Sequence, residues 1–259
     1  MKVAKDFRLT GTRRLASGSV LMSFTPADGS ELPELSPGQF VEVKIDDVPA
    51  ALLRRPISIC DVHYNTELVL FVKPLGEGTR RLVEYPVGKI ANIILPLGHG
   101  FTVSNAAGKR CLLVGGGVGA APLVKLSKAL SEAGAFVAVA IGGRTASDVN
   151  DVVALYETAE GVVCSTEDGS AGIKGLITAS PVFDQPWERI YVCGPTPMMK
   201  AVARIANEKG IWCEVSLENH MACGLGACLC CVENTSDAGN VCVCTEGPVF
   251  NINRLKSWL

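Results

Sequence analysis

Histidine, aromatic residues and clustered charge are all scarce in this 259-residue chain. Its three histidines, His63, His99 and His220, stand singly, so no histidine-based catalytic pair or metal site is offered, and each is expected to be a surface or packing residue. A net charge of -2 without a basic run argues against nucleic acid as a partner. No apolar stretch reaches membrane-spanning length, and Met1 to Arg8 lacks the apolar core of a signal peptide. Internal repeats and low-complexity segments are missing too. A soluble, cytoplasmic protein is expected, and 48% hydrophobic residues suffice for more than one core.

What is abundant is cysteine, with eleven residues. Three of them, Cys223, Cys228 and Cys231, follow the C-x4-C-x2-C spacing of a plant-type 2Fe-2S site. Such a cluster needs four thiolates around a small volume, and Gly224, Gly226 and Ala227 let the backbone wrap inward. Cys242 and Cys244, expected on a short returning strand, both stand within reach as the fourth ligand, and chain folding alone does not choose between them. Zinc fits less well, because zinc ribbons present two C-x2-C knuckles. Disulfides need an oxidising compartment and are poorly served by an odd number of cysteines. Cys60, Cys111, Cys164 and Cys213 sit in apolar runs as small hydrophobes, and Cys230 is a bystander.

From Val20 to Leu97 the chain shows short, turn-bounded apolar segments, Val20–Phe24, Phe40–Ile45, Leu68–Val72 and Ile90–Leu95, which predict a small antiparallel barrel. Within it, Arg54 and Arg55 precede Pro56, Ile57 and Ser58, and guanidinium groups suit a pyrophosphate. Gly78 and Thr79 form a second phosphate signal in a glycine-rich turn. Val72, Lys73 and Pro74 run into that turn and belong to the same candidate set. Arg55-Pro56-Ile57-Ser58 resembles the R-x-Y-S element of the ferredoxin reductase family, and Pro96 to Phe101 resembles the segment that closes that family's barrel. The resemblance implies FAD, with Arg55 on its pyrophosphate and Ser58 near the isoalloxazine N5; Ile57 replaces the stacking tyrosine.

Cys111 to Val114 is an apolar strand running into Gly115, Gly116, Gly117, Val118 and Gly119, then into a helix with Leu123, Leu126 and Leu130 on one face. With a second strand at Phe136–Ile141 this completes a βαβ unit whose glycine turn suits a dinucleotide diphosphate. No acidic residue ends that second strand; Arg144 stands there, leaving NAD against NADP open. Ile190 to Pro195 forms a strand ending in C-G-P. In the ferredoxin reductase family this element lies at the nicotinamide, so the resemblance implies that Cys193 orients it for hydride transfer.

The order of parts resembles the electron-transfer subunits of type B dihydroorotate dehydrogenase. The likeness is carried by Arg54–Ile59, Thr166–Ser170, Val192–Met199, Met221–Gly224 and Cys244–Phe250. It implies a multi-domain fold: an antiparallel FAD β-barrel over 1–104, a doubly wound α/β NAD-binding domain over 105–213, and a small 2Fe-2S domain over 214–259. It also implies Cys244 as the fourth ligand beside Cys223, Cys228 and Cys231. A heterotetramer follows, with two FMN-containing catalytic subunits and two of these chains passing electrons through the cluster and FAD to NAD+ in pyrimidine biosynthesis. Met221, Leu225 and Leu229 are the expected partner-facing residues. Related chains serving ferredoxin- or sulfide-linked reductases are the alternative, but they carry aspartate where Cys223 stands. A redox sensor would need no hydride path, and a zinc-bound structural subunit would be colourless.

Overall fold

The computed structural model describes residues 2–46, 48, 52–255 and 258–259. Six strands close the N-terminal barrel: β1 (Val3–Arg14), β2 (Val20–Pro26), β3 (Phe40–Val43), β4 (Arg55–His63), β5 (Glu67–Val72) and β6 (Ile90–Leu97), in the order β1-β2-β5-β4-β3-β6. Alternation places Phe7, Leu9, Val41, Val43, Ile59 and Leu70 inside as a private core. The other face of β3, carrying Phe40 and Glu42, points out of the barrel, with Ser58 and Pro56 paired beside them on β4. A short helix, α1 (Glu77–Leu82), follows β5 and packs Leu82 into the barrel.

The second unit is a seven-stranded sheet built from β7 (Arg110–Gly116), β8 (Phe136–Gly143), β9 (Gly161–Thr166), β10 (Ile173–Lys174), β11 (Arg189–Cys193), β12 (Trp212–Ser216) and β15 (Val249–Asn251). Its order is β10-β9-β8-β7-β11-β12-β15, and every pairing is parallel except β12 with β15. The helix α2 (Ala121–Glu132) starts with Pro122 in its first turn and buries Leu123, Leu126 and Leu130 on one face of the sheet. On that side α3 (Ala146–Val153) adds Val149 and Val152. The opposite face takes α4 (Thr196–Glu208) through Met199, Val202, Ala203 and Ala206.

Between β12 and β15 lies the cysteine segment, with a hairpin of β13 (Val232–Thr235) and β14 (Gly239–Cys242) and a helical turn, α5 (Val243–Glu246). The boundary expected between residues 213 and 214 therefore falls inside β12, and β15 returns to the nucleotide sheet. The segment is an insertion with both ends on that sheet. Cys244 stands in α5, whereas the sequence suggested a strand; only Cys242 ends one.

Two contacts lock barrel to sheet. Thr102 donates from its N–H and hydroxyl to Glu214 at 2.9 and 2.7 Å, and Tyr191 donates to the Thr102 carbonyl at 2.7 Å. On the far side Lys128 of α2 meets Asp61 of β4 at 2.5 Å, with His63 3.0 Å from the same carboxyl oxygen.

Candidate functional site

Three clusters of sequence-expected residues come together along the junction of barrel and sheet. The first joins Arg55 to the turn before α1. A Cβ built on Gly78 would stand 2.6 Å from Arg55 Nε, so the guanidinium lies directly over a backbone that only glycine leaves open. Thr79 completes the turn: its hydroxyl accepts the N–H groups of Leu75 and Gly76 at 3.0 and 3.1 Å. A guanidinium above a bare glycine backbone is a donor set that fits a diphosphate. Pro56 is exposed and Ile57 and Ser58 half-buried, which leaves the β4 edge open beside this cradle.

The second cluster is a cleft of about 680 Å³ lined by Gly116, Gly117, Val118, Gly119, Gly194 and Met198, among others. The turn after β7 is a tight 3-10 helix, Gly117–Ala120. Its glycines serve packing as much as ligand access. A Cβ on Gly119 would lie 2.5 Å from Gly194 Cα, and one on Gly116 would lie 2.7 Å from Pro195 Cδ, so the turn and the C-G-P loop touch backbone to backbone. A Cβ on Gly117 meets nothing within 4 Å, which leaves that position facing the cleft.

Cys193 ends β11 beside Gly194 and pairs in register with Ser216 of β12. Burial pushes its thiol up to about 12, so it stays neutral. Lys73, expected with the flavin set, lines this cleft, with Nζ 3.5 Å from Asp148 of α3. Arg144 is exposed at the rim. Sequence reasoning missed Asp148, Leu176, Ile177, Thr178 and Glu218, which also line the cleft; they belong to no motif and arrive there by topology alone.

The third cluster is the cysteine segment. Gly224 and Gly226 take φ of +64° and +86°, a left-handed backbone that turns the loop inward. The Cys223 and Cys228 thiols lie within hydrogen-bond reach of each other, as do those of Cys231 and Cys244. Leu225 N–H donates to Cys223 Sγ and Cys244 N–H to Cys231 Sγ, both at 3.4 Å. The first of these bonds helps draw Cys223 down to about 6, favouring its thiolate. Among the described residues no three His, Cys, Asp or Glu side chains converge as on a single ion. Two adjoining thiol pairs whose sulfurs accept backbone N–H bonds form a donor set that fits a two-iron cluster, which takes two thiolates on each iron. Cys242 also reaches Cys231, so proximity alone does not separate it from Cys244.

Burial is graded across this segment. Cys228 and Cys230 are exposed and Cys223 half-buried, while Cys231 and Cys244 are buried in a core shared with Phe40, Leu217 and Phe250. Leu225 and Leu229 are exposed beside Cys228; Met221, expected on the same partner-facing surface, is instead half-buried and packs against that core.

A flavin-type barrel, a dinucleotide sheet and an iron–sulfur segment together define an electron-transferring flavoprotein reductase. Residues 218–256 match the family model for the iron-sulfur cluster binding domain of dihydroorotate dehydrogenase B. The chain is 42% identical over 222 residues to the dihydroorotate dehydrogenase B (NAD(+)) electron transfer subunit of Bacillus velezensis, covering 83% of this chain and 84% of that one. The Bacillus cereus subunit is 39% identical over 228 residues, covering 85% and 86%.

Among solved structures, one described for flavin-based electron bifurcation, of the NADH-dependent reduced ferredoxin-NADP oxidoreductase, superposes with a TM-score of 0.85 at 28% identity, covering 97% of this chain and 90% of that one. Phthalate dioxygenase reductase shares the fold, with a TM-score of 0.68 at 16% identity over 98% and 96% of the two chains. The chain belongs to the family of electron transfer subunits of NAD(+)-dependent dihydroorotate dehydrogenase B. It is an oxidoreductase subunit that takes FAD, a 2Fe-2S cluster and NAD, and it works with a catalytic partner subunit. No helix among the described residues is long and apolar enough to cross a membrane.

Proposed function

We propose that this chain, in the cytoplasm, receives electrons from the FMN of a dihydroorotate-oxidising partner and delivers them to NAD+, two such chains flanking two catalytic subunits. The observation that carries this reading is the graded burial of the cysteine segment, with its exposed end rimmed by Leu225 and Leu229 and its buried end on β3, next to β4. When bound, a two-iron cluster moves electrons singly while a flavin also exchanges hydride, so the pair couples one-electron and two-electron carriers.

The residues of the chain divide that work. Cys223, Cys228, Cys231 and Cys244 hold the cluster. Cys244 takes precedence over Cys242 because it is buried with Cys231 and donates its N–H to that sulfur. Arg55 and Gly78 hold the flavin diphosphate, with Val72, Pro74 and Thr79 shaping the turn and Pro56, Ile57 and Ser58 presenting the β4 edge. Gly115, Gly116, Gly117, Val118 and Gly119 admit the dinucleotide. Cys193, as a neutral thiol, packs at the nicotinamide position without acting as acid or base.

Cys223→Ser in the complex with its catalytic subunit tests the route. Dihydroorotate-dependent NAD+ reduction should fall to background while NADH oxidation by an artificial dye persists; equal loss of both activities would count against the proposal.

A further inference from the structure

Glu42 is a buried acid that no step so far employs. Its side chain is 1% exposed, and neither carboxyl oxygen has a hydrogen-bond partner among the described residues. A native fold leaves a buried carboxyl unpaired only where something else engages it. The nearest guanidinium does not: Arg54 spends its donors on Asn92 Oδ1 at 2.6 Å and the Asn92 carbonyl at 2.9 Å, reaching only the backbone oxygen of Glu42 at 3.4 Å.

Position shows what the carboxyl faces. Glu42 lies on the outer face of β3, between Pro56 of β4 and Ile94 of β6. A Cβ on Gly224 would stand 2.7 Å from Glu42 Oε1, so the loop that begins at Cys223 rests directly on this carboxyl. Two residues earlier on the same face, Phe40 packs in the core that holds Cys231 and Cys244. The outer face of β3 is thus the floor of the cysteine segment, and the strand beside it carries the flavin edge.

We propose that Glu42 is a tuning residue for the cluster, a carboxyl fixed beneath the cysteine loop that makes electron acceptance there less favourable and so drives electrons onward to the flavin. The inference rests on the ligand assignment given under the proposed function. Burial raises the Glu42 carboxyl to about 7, so above that pH it is ionised, and a negative group held in a dry environment next to a redox centre opposes the gain of an electron.

The test is a redox titration followed by electron paramagnetic resonance on the full-length chain in its complex, in alkaline buffer, comparing wild type, Glu42→Gln and Glu42→Asp. Glutamine, of the same shape, should shift the cluster's one-electron equilibrium roughly tenfold toward the reduced form, about 59 mV, with iron content and line shape retained. Aspartate, which withdraws the carboxyl by one methylene, should shift it the same way by less, and it carries the test if the glutamine variant does not accumulate. An unchanged potential in the variants overturns the proposal, as does loss of iron with the residual cluster at its wild-type potential. A wild-type complex with no two-iron signal refutes the ligand assignment itself, a failure visible before any variant is compared.

Discussion

A single methyl group at residue 78 would occupy the space of the Arg55 guanidinium, since the built Cβ and Arg55 Nε are 2.6 Å apart. Gly78→Ala should therefore weaken FAD binding by about 1.5–3 kcal/mol, the worth of a charge-assisted contact, or roughly ten- to a hundredfold in Kd. Flavin-to-protein ratio after gel filtration and fluorescence titration of the flavin-free chain would measure it, and full retention would show that Arg55 serves some other group. Both residues were legible because the two phosphate signals occur together and Arg55 stands in a segment resembling the R-x-Y-S element; taken alone, either would more often be a solvated strand end or an ordinary turn. Glu42 was not, since it becomes meaningful only when Gly224, far along the chain, folds onto it. Contacts between residues so far apart in sequence leave no local pattern.

At the scale of elements, β4 and α2 are joined by the Asp61–Lys128 pair at 2.5 Å. Burial alone would raise the Asp61 carboxyl, but Lys128 and the Val62 N–H outweigh it and hold the group below the usual carboxylate range. A depressed carboxylate adds stability above its unfolded pKa and loses it as pH falls through the folded value.

Wild type should therefore lose part of its stability margin on acidification that Asp61→Asn never has, the variant being weaker at neutral pH by about 1.5–3 kcal/mol. Denaturant midpoints at neutral and acidic pH would show the two curves converging; parallel curves would refute the link. The strands β2, β3, β5 and β6 and the β7-α2-β8 unit were legible because their apolar periodicity survives in sequence. The first strand was not, because only Phe7 and Leu9 of its twelve residues are buried and most of the others are charged, polar or small.

For the whole molecule, the linear picture of three successive domains gives way to an insertion. Leu217 N–H donates to the Pro248 carbonyl at 2.8 Å, so the two ends of the cysteine segment lie side by side. A chain cut after Ser216 should lose β15, bare the edge of β12 and aggregate. Replacing residues 219–246 by a short glycine-serine linker should instead yield a monodisperse, iron-free protein that keeps its flavin and still oxidises NADH with a dye. Light scattering and the flavin spectrum distinguish these outcomes. This return was hidden because β15 contributes only three residues to the sheet, too few for a periodic signal.

Fastening at both ends has a further consequence. With its floor on a barrel strand and its two stems on neighbouring strands of one sheet, the segment cannot swing like a domain on a tether. A cluster held by this segment and a flavin held at the β4 edge would keep a separation set by covalent and sheet geometry.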